Sequence, residues 1–196
     1  MRIHLTLFLS CISSLVFSQG LRVSMDYGFG IGEMEDAKRI VLHTGFRAGA
    51  EFSIGERNYL SFMAGSSVLR FNYSNGPGES IFNRKFFLML PVSIKRYYPL
   101  SKRSSGFVEV GIYASFNLFD RKETRNSLGT TITRHNNPGK NGGGVLGLGF
   151  KTMITNRISF DVGLSGQKDF FDSYKQDQYR IRAEKTSLSF GFYRKI

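Results

Sequence analysis

The sequence predicts an all-β protein, an eight-stranded antiparallel up-and-down transmembrane β-barrel with a filled polar interior. Leu21 to Gly32 reads L-R-V-S-M-D-Y-G-F-G-I-G, with large apolar residues at odd positions and small or charged ones at even positions. A period of two over this length is a strand with two chemically opposite faces, long enough to cross a bilayer at a tilt. The pattern returns seven more times along the chain. The composition agrees, with 22 Gly, 14% aromatic residues, only 4 Pro and no helical stripe.

Residues 1–18 read as a secretory signal peptide. Arg2 precedes a mostly apolar run from Ile3 to Phe17, and Val16 and Ser18 precede Gln19 in the spacing of a cleavage site. Residues 19–196 form the barrel domain. Cys11, the one cysteine, falls in the segment that cleavage removes, so no disulfide, thiol chemistry or Cys-ligated metal is expected. The net charge is +12. An exported basic protein meets the phosphates of lipid head groups rather than nucleic acid.

The second strand is read at 39–54, with Ile40, Leu42, Phe46 and Phe52 on one face. A tight turn at 55–58 leads to a third strand at 59–73. Its apolar positions change from even (Leu60, Phe62, Ala64) to odd (Phe71, Tyr73), which predicts a β-bulge near Ser66–Ser67. The fourth strand, 84–98, contains Pro91, which lacks a ladder donor and is expected at a bulge or weak point of pairing. The fifth spans 106–118. A polar link of 23 residues, 119–141, is expected as a loop before the sixth strand at 142–154. A three-residue turn (Thr155-Asn156-Arg157) joins it to the seventh at 158–167, and the eighth occupies 186–196. Short turns at one end and longer links at the other are the arrangement of outer-membrane barrels, with both termini on the periplasmic side.

Volume decides which face is outside. An eight-stranded barrel holds side chains and little else, and the Phe, Leu and Ile of the apolar set would overfill it. The Gly- and Ser-rich set fits inside. Tyr27, Tyr73, Phe86, Tyr97, Tyr98 and Phe116, near strand ends, are expected as interfacial girdles.

The segments F-L-M-L-P-V-S-I-K-R-Y-Y (87–98), F-V-E-V-G-I-Y-A-S-F (107–116), G-L-G-F (147–150) and the terminal S-L-S-F-G-F-Y resemble the PorT-type outer-membrane β-barrel family of Bacteroidota. The resemblance implies a small barrel of the Gram-negative outer membrane and cell envelope. Met89 stands where that family has an acidic residue two before the Pro, and the chain ends on Ile196 instead of an aromatic.

A register that sets Arg22 against Glu51 and Asp26 against Arg47 would pair the inward charges of the first two strands. The three-residue turn would likewise set Lys151 against Asp161. Glu109 could join Lys95 or Lys151. Unpaired charges are costly in so narrow an interior, so these six residues are expected as structural ion pairs that close the lumen. Lys95, Arg96, Lys102, Arg103, Arg157, Arg194 and Lys195 are expected as a basic periplasmic rim facing lipid phosphates. Lipid-modifying catalysis would need His with Ser and an acid. The mature chain has only His43 and His135, with no Ser at a recognisable spacing, and Gly142-Gly143-Gly144 lacks the helix of a phosphate loop. No enzyme activity, catalytic residue, cofactor or metal is expected. The expected partners are outer-membrane lipids, lipopolysaccharide and a periplasmic or envelope protein, without nucleic acid. The function expected is a structural or interaction role through loops and rims; the alternatives are a lipid A-modifying enzyme and a narrow transporter or secretion accessory.

Overall fold

The computed structural model describes residues 20–34, 37–74, 78–135, 139–170 and 182–196; the expected signal peptide lies outside them. The described residues form nine strands: β1 (Gly20–Met34), β2 (Ala37–Ser53), β3 (Asn58–Ser74), β4 (Ser80–Pro99), β5 (Ser104–Asn126), β6 (Gly129–His135), β7 (Lys140–Met153), β8 (Ile158–Asp169) and β9 (Arg182–Lys195). The sheet runs β4-β3-β2-β1-β9-β8-β7-β5, and pairing of β4 with β5 closes it into an eight-stranded antiparallel barrel. β6 lies outside the ring and pairs with β5 alone among the described residues.

The apolar face points outward. Phe29 is 64% exposed and Ile40 75%, and Val110, Ile112, Leu146, Leu148, Leu164 and Phe192 are similarly bare. In water such a band would be an aggregation surface; in hydrocarbon it is the solvated face. The intervening residues, Arg22, Ser24 and Asp26 among them, are buried in the lumen. The short turns at 54–57, 100–103 and 154–157 share one end with both described termini, where Gly20 pairs with Lys195. Backbone bonds knit this end together: Tyr97 N donates to Arg57 O, Met153 N to Arg103 O and Lys195 N to Arg157 O.

Three sequence expectations change, while that for Pro91 stands. The link at 119–141 is largely strand: β5 continues to Asn126, and β6 folds back on it after a turn whose Gly129 has φ +139°. Because about 9–11 tilted residues span a bilayer, the 23-residue β5 carries this hairpin beyond the barrel, with Leu128 at its tip 94% exposed.

The change of apolar phase in β3 is not a bulge. Pairing with β2 runs without interruption from Leu42↔Arg70 to Ser53↔Tyr59, so odd residues face inward throughout. Leu69 and Phe71 are therefore lumen residues, packed with Val41, Phe87, Met89 and Tyr113 into an apolar plug that Tyr73 abuts. The register shift lies instead between β4 and β5, where Phe86 pairs with Phe119 and Phe87 with Asn117, leaving Leu118 extra.

Pro91 faces the lumen at the point where the β3–β4 ladder skips from Phe62↔Val92 to Gly65↔Met89, so its missing donor falls at a gap in pairing. The girdle is also smaller than expected. Tyr27 and Tyr98 are exposed outward, and Phe86 stacks on Phe119 at 5.2 Å. Tyr97, by contrast, is buried in the lumen, edge-on to Tyr59 at 5.2 Å, and Tyr73 also points inward.

Replacing Leu148, outward and central in β7, by Arg is expected to destabilise the barrel by about 2–4 kcal/mol. Urea unfolding in lipid vesicles measures it, and Ser165→Ala on the inward face provides the small-effect comparison.

Candidate functional site: the filled lumen and its basic mouth

Inward residues of β1 and β2 bring charge into the lumen, and the register decides what each charge meets. Arg22 stands opposite Gly49 and Asp26 opposite Gly45, two residues from the register expected from sequence. Each charge thus faces a residue without a side chain and reaches its partner on the diagonal, a distance long side chains span. Arg22 Nη1 lies 3.0 Å from Glu51 Oε1, and Arg47 Nη2 lies 2.6 Å from Asp26 Oδ1. All four side chains are nearly excluded from solvent, and Glu51 has 0% exposure.

Arg22 also reaches past β9 to Asp161 on β8. Gly191 of β9, directly opposite Asp161, makes this possible: a Cβ there would overlap the Asp161 carboxylate. Lys151 and Asp161 are opposite in the β7–β8 register, yet the closest partner of Asp161 is Arg22. Lys151 turns instead over the Tyr193 ring, 3.6 Å from its centroid, and stands 4.8 Å from that of Tyr97.

Lys95, expected on the rim, is a core residue at 2% exposure. Its Nζ lies 3.1 Å from Glu51 Oε1 and 3.7 Å from Glu109 Oε2, and Ser93 Oγ donates to Glu109 Oε1 at 2.5 Å. β4 presents Lys95 on the same inward parity as Ser93 and Tyr97, so its position along the strand is rim-like only in sequence. The result is one connected cluster of Arg22, Lys95, Glu51, Glu109 and Asp161 with Lys151 above it.

Further toward the hairpin end, Lys85 pairs with Asp120 at 2.8 Å, and the Tyr113 hydroxyl donates to Asp169. Beside the apolar plug, a cavity of about 10 Å³ touches Leu69, Phe87, Met89 and Lys185. That is about the room of one water. The lumen is therefore closed by ions at the turn end and by apolar side chains at the other.

Sequence spacing also missed a contact at His43. His43 Nδ1 lies 3.0 Å from Ser187 Oγ, joining β2 to β9 across β1. Inward parity of both residues was the available signal; their distance of 144 positions hid the pairing. Both are 1% exposed. His135 closes β6, its backbone paired with Asp120. Among the described residues no cluster of His, Cys, Asp or Glu is arranged to hold a metal.

The expected basic rim divides into three. Arg96 and Arg194 face outward, Arg96 lying 5.7 Å from the Tyr98 ring centroid. Lys95 is buried. Lys102, Arg103, Arg157 and Lys195, together with Arg57 and Lys151, line a cavity of about 460 Å³ inside the ring of short turns.

Fold and lumen together define a closed eight-stranded barrel of the outer-membrane type. No family model matches the sequence, and no curated protein matches it. Among solved structures, the chain is similar to the outer membrane protease OmpT from Escherichia coli, at 9% identity over 92% of this chain and 98% of that one, with a TM-score of 0.51. It is also similar to neisserial surface protein A (11% identity, 90% and 97% coverage, TM-score 0.47). A third match is Ail, the attachment invasion locus protein of Yersinia pestis, in complex with the heparin analogue sucrose octasulfate (8% identity, 90% and 99% coverage, TM-score 0.47). At such identities the likeness concerns the fold alone.

Arg22→Met is expected to destabilise the barrel by about 3–5 kcal/mol, because Glu51 and Asp161 lose their shared cation. Adding Asp161→Asn should recover part of the loss. Thermal unfolding in detergent, read by the shift between folded and unfolded mobility on a gel, compares the two variants.

Proposed function

We propose that this chain is a small integral outer-membrane β-barrel of the PorT type whose lumen is sealed and whose role is structural or interactive, carried by its two ends. The observation that carries the reading is the blocked interior, where Arg22 binds two carboxylates beneath Lys151 while Leu69, Phe71, Phe87 and Met89 fill the opposite half. A sealed lumen disfavours a transporter reading, since a conducting pore needs a continuous polar path wide enough for water. Burial of His43 and Ser187 disfavours the lipid-modifying reading, since an enzyme's nucleophile must meet its substrate.

The turn end and both termini face the periplasm in this reading, and the β5–β6 hairpin faces outward from the cell. The barrel's exterior band meets lipid. Arg96 and Arg194 meet phospholipid phosphates beside the Tyr98 ring, each contributing on the order of 1 kcal/mol. The hairpin presents Arg121 and Arg125, both held by Glu123 at 3.5 and 2.7 Å, toward lipopolysaccharide or an envelope protein.

Two measurements test these statements. Planar-bilayer recordings of the purified protein should show no steady conductance; a steady large conductance overturns the sealed lumen. The expected mature chain has no cysteine, so single cysteines report sidedness. Leu128→Cys should react with an impermeant maleimide on intact cells, whereas Asn156→Cys in a short turn should react only after the outer membrane is permeabilised.

A further inference from the structure

The mouth at the turn end gathers basic side chains around one cavity. Its cavity of about 460 Å³ is within the size range of small-molecule sites. The core below is balanced on its own. Arg22, Lys95 and Lys151 face Glu51, Glu109 and Asp161, three cations to three carboxylates, with Lys151 opposite Asp161 in the β7–β8 register. The remaining lining cations are Arg57, Lys102, Arg103, Arg157 and Lys195, and the one acid among the lining residues is Glu56. No carboxylate lies within ion-pair distance of any of these five among the described residues.

Their placement is built, not loose. Arg57, Arg103 and Arg157 sit one in each of the three short turns, and the carbonyl of each accepts a backbone bond from a neighbouring strand. Ser101 Oγ accepts from the Arg103 and Ser104 amides, and Thr155 Oγ1 from those of Arg157 and Ile158, which pins the conformation of two turns. Three guanidinium groups thus stand at intervals around one opening. Tyr97, Tyr193 and Lys151 form its floor, the lysine held above the tyrosine rings.

Guanidinium groups bind phosphate oxygens with two parallel hydrogen bonds, and several around one cavity favour a ligand carrying more than one phosphate. We infer that the turn-end mouth is a binding site for a compact ligand bearing multiple phosphate groups, held by Arg57, Arg103 and Arg157 with Lys102 and Lys195 completing the charge. The cavity opens along the barrel axis, inside the ring of turns, whereas the cations that face lipid are Arg96 and Arg194. A soluble phosphate compound therefore fits it better than a bilayer head group. The inference rests on the proposed barrel reading for the compartment the mouth faces, but not for binding itself.

Calorimetry with tripolyphosphate as probe, on the purified barrel in phosphatidylcholine nanodiscs at physiological salt, tests it. One saturable site is expected. Arg103→Gln/Arg157→Gln should weaken it tenfold or more, while Lys140→Gln/Lys168→Gln at the opposite end of the barrel should leave it within twofold. Nanodiscs containing phosphatidylglycerol should give the same affinity; abolished binding there would overturn the soluble source and assign the site to a head group. Absence of saturable binding, or equal loss in both double variants, would overturn the site. Folded gel mobility of every variant guards against loss through misfolding. The cysteine-labelling result, obtained separately, reports on the compartment, so the two readings fail independently.

Discussion

Arg22 is the side chain on which the closed interior depends. A narrow barrel excludes bulk water from its centre, and a lone ion there carries a desolvation penalty of several kcal/mol. Arg22 relieves that penalty for two carboxylates at once, Glu51 on one neighbouring strand and Asp161 two strands away in the opposite direction. Lys95 then shares Glu51 and engages Glu109, so that β1, β2, β4, β5 and β8 are tied through one cluster. The geometry demands emptiness nearby. Gly191 opposite Asp161 leaves the space that the Asp161 carboxylate occupies as it meets Arg22.

The same constraint explains why the two halves of the lumen are filled differently. Where large apolar residues such as Leu69, Phe71, Phe87 and Met89 point inward, they exclude water without needing partners. Where charges point inward, each must find an opposite within a few ångströms. Both solutions close the lumen: β2 to β5 supply the apolar plug, and β1, β2, β4, β5 and β8 supply the ions. The barrel's outer face, uniform in character, gives no hint of this division.

Much of the architecture was legible because strand parity is a strict rule. Alternation in β1, β5 and β7 to β9 identified the strands and their outward faces, and the three-residue turn fixed Lys151 opposite Asp161. What was not legible depended on contacts beyond parity. The β1–β2 register was missed by two because opposite charges were expected directly across the ladder, whereas Arg22 and Asp26 stand opposite glycines and reach Glu51 and Arg47 on the diagonal. Phe71 and Tyr73 looked outward because apolar residues usually mark the lipid face, whereas the unbroken β2–β3 register turns them inward, against the plug. The hairpin was hidden because β6, rich in Thr with Arg and His, has the polarity of a loop and the backbone of a strand.

The basic excess is where sequence and structure diverge most usefully. Seven cations near the short turns looked like a single belt, since position along a strand gives height but not direction. Direction separates them. Lys95 belongs to the core, Arg96 and Arg194 to the outer surface, and Lys102, Arg103, Arg157 and Lys195 to the mouth. Cations at a lipid interface are already compensated by phosphates around them. Those around the mouth are compensated by neither lipid nor core, because the core carboxylates are matched by Arg22, Lys95 and Lys151. Like charges gathered around one opening repel each other, and their persistence in turns knit by backbone bonds means that the fold holds them against that repulsion. An arrangement that costs stability without contributing to closure of the lumen is one whose rationale lies outside the barrel, in what enters the mouth.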